Sequence, residues 1–183
     1  MVELRQVHWV AAKHVLRYLH GTIGYGLRYI AGDGVKLKGL MDSDWAGTAV
    51  DRESTSGCCF SLGPAMVSWF NKKQTSIALI TAEAEYIAAC AACKEAVWLR
   101  KLLADLSGHQ INVTVIFCDR SKHINMKYHY IRDIVQKGVV KLQYISTDEQ
   151  VADIFTKPLA RVKFAYFRER LGVVENPFID KGS

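Results

Sequence analysis

The chain has 183 residues, of which half are hydrophobic and 23% are charged, so it has the composition of one globular domain with a core and not of a disordered chain. It carries 24 Lys and Arg against 18 Asp and Glu, and this net charge of +6 favours a polyanionic partner such as a nucleic acid. The start of the chain lacks the pattern of a signal peptide, and no apolar run approaches the ~20 residues of a membrane helix, so no membrane partner is expected.

The first part of the chain predicts one helix followed by four strands. An amphipathic helix is predicted over 6–19, with Gly21 as its stop signal. Four segments have the character of strands: Tyr25–Ile30, Val35–Met41, Gly57–Leu62 and Ala65–Phe70. Gly32-Asp33-Gly34 predicts a hairpin between the first two, and Gly63-Pro64 predicts a turn between the last two.

The second part predicts helices alternating with strands. A long helix should run from Thr81, a plausible N-cap, to about Leu106. The remaining predicted elements are a buried strand Ile111–Cys118, a basic helix Ser121–Gln136, a strand Val140–Ile145, a helix Asp148–Thr156 and a helix Arg161–Leu171. This order predicts an α/β fold with a mixed sheet covered by helices, in which the last two strands are parallel across the basic helix.

Five cysteines, an odd number without framework spacing, predict a reducing intracellular compartment, the cytoplasm or the nucleus. Cys90 and Cys93 form a CxxC inside the long helix, where core packing is expected rather than a zinc site. Cys58 and Cys59 alternate along a predicted strand, so at most one of them is expected to face the core.

Four carboxylates lie at the ends or starts of predicted elements: Asp42, Glu85, Asp119 and Asp153. Asp42 and Asp119 follow predicted strands, and the carboxyl ends of parallel strands are where active sites form in such sheets. A fold that gathers one carboxylate from each position could hold two divalent ions and cleave a phosphodiester. The charge distribution agrees with such a site on a nucleic-acid backbone. Residues 120–183 carry twelve basic against seven acidic residues, whereas residues 35–119, which hold three of the four carboxylates, carry eight basic against nine acidic residues.

Several short motifs occur in a fixed order along the chain: Asp42-Ser43-Asp44-Trp45-Ala46-Gly47, Ser68-Trp69 with Lys72-Lys73-Gln74, Ala82-Glu83-Ala84-Glu85-Tyr86, Arg120-Ser121-Lys122-His123, Tyr128-His129-Tyr130-Ile131-Arg132 and Val151-Ala152-Asp153-Ile154-Phe155-Thr156-Lys157-Pro158. Together they resemble the ribonuclease H region of copia-type retrotransposon polyproteins. The resemblance implies a ribonuclease H-like mixed five-stranded sheet flanked by helices over 35–174. It also implies that 1–34 is a remnant of the preceding reverse transcriptase and that 175–183 is a tail.

Carried over by position, the resemblance implies that Asp42, Glu85, Asp119 and Asp153 are the metal-binding and catalytic residues. Asp44 and Glu83 are the near alternatives. The implied cofactors are two Mg²⁺ ions, or Mn²⁺, which prefer such oxygen ligands. The implied reaction is hydrolysis of the RNA strand of an RNA–DNA hybrid. The family has a further helix between the strand acid and the segment that begins at Arg120, and this chain lacks it after the fourth core strand. Asp119 therefore corresponds either to the strand acid or to the residue before the arginine, and an enzyme impaired by this deletion is one alternative.

The implied partners are an RNA–DNA hybrid and a reverse transcriptase domain. Candidate phosphate contacts are Lys72, Lys73, Lys122, Lys127 and Arg132, although a solvated surface charge explains any one of them equally well. The alternative function is a catalytically inactive domain of the same fold that only binds nucleic acid or a polymerase partner.

Overall fold

The computed structural model describes residues 5–30, 36–45, 53–108, 110–119 and 129–176. Its regular elements in chain order are α1 Gln6–Gly21, β1 Tyr25–Leu27, β2 Leu37–Asp44, β3 Thr55–Leu62, β4 Ala65–Lys73, α2 Thr81–Ser107, β5 Thr114–Cys118, α3 His129–Gln136, β6 Val140–Tyr144, the 3-10 helices Thr147–Glu149 and Val151–Phe155, α4 Arg161–Arg170 and β7 Val173–Glu175.

Five strands form the central sheet, in the order β4-β3-β2-β5-β6. The meander β2-β3-β4 is antiparallel, whereas β5 pairs parallel to β2 and β6 pairs parallel to β5. The predicted mixed five-stranded sheet is therefore confirmed, including its last two parallel strands. Because β2, β5 and β6 run in one direction, their carboxyl ends share one edge of the sheet.

Helices cover both faces of this sheet, so it has a core on each side. α2 and α3 pack on one face, around Met41, Cys58 and Phe60 among others. The second 3-10 helix and α4 pack on the other face, around Cys59 and Phe167 among others. Cys58 and Cys59 point to opposite faces, and both are buried. The prediction that at most one of them faces a core was wrong, because it assumed a sheet covered on one side.

The CxxC of α2 lies in the packed interior, as expected. Cys93 is fully buried, and Cys90 is partly buried against the same core. Both are free thiols.

The segment after α1 does not form the predicted hairpin with β2. β1 instead pairs antiparallel with β7, with Tyr25 opposite Glu175, in a separate two-stranded sheet. The predicted turn residues 32–34 lie outside the described residues. The domain boundaries at 34 and 174 remain a prediction, and the β1–β7 pairing joins segments from both sides of them.

Other elements differ from prediction in extent or type. The predicted helix over 148–156 is instead two 3-10 helices interrupted at Gln150, whose ψ of 86° is not helical. Of the predicted basic helix, only His129–Gln136 lies within the described residues, and it is helical. α1 is a helix as predicted, but none of its residues is buried. No helix within the described ranges combines the length and apolarity needed to cross a bilayer.

Candidate active site

Asp42 lies near the end of β2 and is 2% exposed. Thr156 donates its hydroxyl to Asp42 Oδ2 at 2.5 Å, and Lys157 Nζ lies 3.1 Å from the same oxygen. Burial raises the pKa of Asp42, and these two partners, which favour the carboxylate, offset that effect only in part. Asp42 is thus a desolvated carboxyl group held by one hydroxyl and one ammonium group.

Asp153 lies in the second 3-10 helix and is 3% exposed. Lys157 Nζ donates to Asp153 Oδ1 at 3.0 Å, and Lys163 Nζ lies 3.6 Å from Oδ2. Lys157 therefore bridges Asp42 and Asp153. Burial alone would lower the pKa of Lys157, but the charge of Asp42 and hydrogen bonds to both carboxylates outweigh burial and raise it.

Asp42 and Lys157 form one ion pair, and the pKa of each group is raised. The carboxylates hold the Lys157 proton, yet the pKa of Asp42 still rises. The difference follows from burial, because Asp42 is almost inaccessible whereas the Lys157 side chain is 33% exposed. Asp153 adds a second negative charge, which raises the pKa of Asp42 further.

Two side chains fix the second 3-10 helix against the sheet. Gln150 is fully buried; its Nε2 donates to the carbonyl of Met41 at 3.0 Å, and its Oε1 accepts from the N–H of Ala152. Asn71 of β4 donates its side-chain amide to the carbonyl of Phe155 at the end of the helix. Residues from β2 and β4 therefore determine where Asp153 lies relative to Asp42.

Gly57 permits the close approach of this helix to the sheet. It lies directly opposite Asp42 in the β2–β3 ladder. A Cβ atom at Gly57 would be 2.7 Å from Thr156 Cγ2 and 2.9 Å from Phe155 Cβ. Only glycine leaves room here for Thr156 to reach the Asp42 carboxylate.

Asp119 directly follows β5, the parallel neighbour of β2. The β2–β5 ladder ends with Leu40 opposite Phe117, two residues before Asp42 and two residues before Asp119. Asp119 is half-buried.

Glu85 projects from the second turn of α2 and is 7% exposed. Burial chiefly raises the pKa of the Cys118 thiol to about 12, and the negative charges of Asp119 and Glu85 contribute. Both acids therefore lie near Cys118, at the carboxyl end of β5. Lys157 therefore joins Asp42 and Asp153, whereas Glu85 and Asp119 lie near Cys118 at the carboxyl end of β5.

The near alternatives have other surroundings. Glu83 Oε2 accepts the main-chain N–H of Leu79 at 2.8 Å, so it stabilises the start of α2. Asp44 pairs with Thr55 in the β2–β3 ladder and is half-buried. Within the described residues, no three His, Cys, Asp or Glu side chains are close enough to share one metal ion. The acids thus supply suitable donor atoms, but Lys157 lies between two of them.

Some of the predicted phosphate contacts surround an open groove of about 350 Å³ between β4 and α2. Lys72 and Lys73 line it, together with Lys94, which the sequence did not single out. Lys73 also forms an ion pair with Glu53 at 3.3 Å. Arg132 is exposed on α3, and the predicted contacts at 122 and 127 lie outside the described residues.

Sequence reasoning missed Gln150, Thr156 and Lys157 as parts of this site. A signal for Lys157 was present, since it follows Asp153 by four residues, the spacing of an ion pair on a helix. Gln150 gave no signal, because one polar residue in an apparently helical stretch is ordinarily exposed.

Comparisons with known proteins were made over the whole sequence. The chain is 38% identical to a retrovirus-related Pol polyprotein from transposon RE2 of Arabidopsis thaliana, over 93% of this chain and 13% of that protein. It is 40% identical to the corresponding polyprotein from transposon TNT 1-94 of Nicotiana tabacum, over 92% of this chain and 14% of that protein. The chain thus spans about an eighth of these curated relatives. No family model matches it.

Among solved structures, the crystal structure of LC11-RNase H1 in complex with an RNA/DNA hybrid overlays with a TM-score of 0.47 at 11% identity. The overlay covers 66% of this chain and 94% of that one.

Proposed function

We propose that this chain, which is homologous to Pol polyproteins of copia-type retrotransposons, is a metal-dependent ribonuclease H that hydrolyses the RNA strand of RNA–DNA hybrids. One observation carries the proposal. Asp42 and Asp153, which are 111 positions apart in the sequence, are buried beside each other at the carboxyl edge of the sheet. Asp119, directly after β5, and Glu85 on α2 lie near Cys118 at the same edge.

The donor set fits Mg²⁺ or Mn²⁺, because hard cations bind carboxylate oxygens. Asp42, Glu85, Asp119 and Asp153 would hold the two ions. When bound, the ions would activate a water and stabilise the leaving 3′ oxygen. Thr156 orients the Asp42 carboxylate by its hydrogen bond, and Gln150 sets the position of Asp153.

Hybrid binding would use the positive groove between β4 and α2. Lys72, Lys73 and Lys94 line one surface and could contact phosphates, which carry affinity without reading sequence. Choice of RNA at the cleavage position would depend on its 2′-hydroxyl and on the shape of the hybrid. Arg132 on α3 is a further candidate contact.

A second function is favoured by a specific observation. Lys157 forms ion pairs with two of the four acids, and no described cluster has three metal-binding side chains together. A domain fixed in this state would bind nucleic acid, or a polymerase partner, without cleaving it. α1 could contact such a partner, since it exposes Trp9, Leu16 and other apolar side chains.

Cleavage of a labelled RNA–DNA hybrid in Mg²⁺ or Mn²⁺ tests the proposal. The wild type should shorten the RNA strand only when metal is present. Asp42→Asn and Asp119→Asn should each reduce the rate by at least about 100-fold, as expected when a metal ligand is lost. Asp44→Asn is the matched control, because it lies two residues from Asp42 in the same strand and should retain cleavage. Retention of an intact hybrid by a folded wild type would establish the binding function instead.

A further inference from the structure

Lys157 contacts the carboxylates of both Asp42 and Asp153. Its Nζ lies 3.1 Å from Asp42 Oδ2 and 3.0 Å from Asp153 Oδ1. Both carboxylates are at most 4% exposed, whereas the lysine side chain is 33% exposed. A positive charge thus lies between two desolvated negative charges and keeps a route to solvent.

An ion pair of the same spacing elsewhere in the chain shows how unusual this setting is. Lys137 follows Asp133 by four residues and lies 2.7 Å from it, but these side chains are 66% and 55% exposed. Such a surface pair contributes little, because water already solvates both charges. At the buried acids water is excluded, so removing the ammonium group would leave two neighbouring carboxylates without compensation.

The position of the lysine between the two acids defines its role. An ammonium group that donates to oxygens of two acids occupies a position like that of a divalent cation shared by them, with one positive charge in place of two. The side chain of Lys157 has four methylene groups, and it could withdraw its charged end to solvent without moving the backbone. Asp153 would keep Lys163 nearby, at 3.6 Å from its other oxygen.

We propose that Lys157 is the resident counter-ion of the metal-free site and that an incoming divalent cation displaces its ammonium group from Asp42 and Asp153. The displacement of Lys157 by a metal ion rests on the proposed function, whereas its role as a counter-ion does not. Lys157 is on this view a positioning residue, which keeps the two acids together and the second 3-10 helix in place before metal binds. Metal affinity is correspondingly lowered, because each ion must first break the two contacts of the lysine.

The test is thermal unfolding of the full chain in EDTA and across a Mg²⁺ titration, which measures metal binding without cleavage. Lys157→Met should lower the Tm in EDTA by roughly 5–10 °C, because two buried acids lose their counter-ion. Mg²⁺ should then raise the Tm of this variant more than that of the wild type. The Mg²⁺ concentration that gives half of this rise should be about tenfold lower for Lys157→Met than for the wild type, a factor equivalent to about 1.4 kcal/mol.

Two further variants separate counter-ion from packing. Lys157→Arg keeps the charge, so it should restore the Tm in EDTA and the Mg²⁺ requirement of the wild type. Lys137→Met removes the exposed lysine of matched spacing and should change neither quantity.

Three outcomes decide the matter. An unchanged Tm of Lys157→Met in EDTA would overturn the counter-ion role. A lowered Tm with an unchanged or raised Mg²⁺ requirement would overturn the displacement step. Lys157→Met could bind Mg²⁺ more tightly than the wild type while the wild type binds Mg²⁺ but does not cleave a hybrid. This result would support the inference and contradict the nuclease function.

Discussion

The side-chain amide of Gln150 donates to the main-chain carbonyl of Met41 at 3.0 Å. Met41 precedes Asp42 in β2, and Gln150 is the N-cap of the 3-10 helix that carries Asp153. A single buried side chain thus ties the backbones that present two acids of the site. The relationship has a direct consequence for stability.

Replacing Gln150 by leucine should lower the free energy of unfolding by about 2–4 kcal/mol. The carbonyl of Met41 and the N–H of Ala152 would each lose a buried hydrogen-bond partner, at about 1–3 kcal/mol per group. Urea denaturation measures this loss. Gln143→Leu, an exposed change on β6, is the control and should stay within about 0.5 kcal/mol of the wild type. Equal midpoints for the two variants would contradict the role of Gln150.

Gly57→Ala should push the second 3-10 helix away from the sheet. The added methyl group would lie 2.7 Å from Thr156 Cγ2, well inside contact distance, and relief of this overlap should cost about 1–3 kcal/mol of stability. Calorimetry should show the lower Tm, and the hybrid assay should show slower cleavage, since Asp42 and Asp153 separate. Gly26→Ala adds a methyl group with no atom within 4 Å and should leave both unchanged.

Glu83 and Glu85 are expected to respond differently to substitution. Glu83→Ala removes the acceptor for the N–H of Leu79 and should cost about 1 kcal/mol of stability while cleavage continues. Glu85→Gln should leave the fold intact and stop metal-dependent cleavage. Paired measurements of unfolding and hybrid hydrolysis test this split. Loss of cleavage in Glu83→Ala, with Glu85→Gln active, would reverse the assignment of the acid on α2.

The buried thiols predict a loss of stability at alkaline pH. Burial raises the pKa of Cys59 and of Cys93 from 9.0 to about 12, so the folded state holds these protons while the unfolded state releases them. Stability therefore falls as pH rises from 9 toward 12, by about 2 kcal/mol for each thiol near pH 10.5. Urea midpoints at pH 8 and at pH 10.5 measure the drop. The double variant Cys59→Ala, Cys93→Ala should show a smaller drop, and an equal one would refute this origin.

The elements of the sheet follow from local sequence signals. The apolar run before Asp119 is a central strand, and the turn at Gly63-Pro64 does join β3 to β4. α2 begins at Thr81 as predicted, but the prediction that Thr81 is the N-cap was wrong, because Ile80 is the N-cap and Glu83 stabilises the helix start. Such signals are local, since they act within a few residues of the chain.

Long-range relationships were not predictable in the same way. β1 pairs with β7, about 150 residues away, and nothing near Tyr25 identifies that partner. The bridge made by Lys157 was hidden for a similar reason. Its spacing from Asp153 is local, but its contact with Asp42 depends on how the second 3-10 helix packs against β2.

The pairing of β1 with β7 imposes an order on biosynthesis. All five strands of the central sheet have been made once Tyr144 is added, but Tyr25–Leu27 still lacks its neighbour until Val173–Glu175 is translated. Tyr25 and Glu175 are 150 positions apart, so at 5–20 residues per second the ribosome takes roughly 8–30 s to pass from one to the other. During this interval three residues present an unpaired backbone, a length too short to invite much association. A chain truncated before Val173 therefore cannot form the two-stranded sheet.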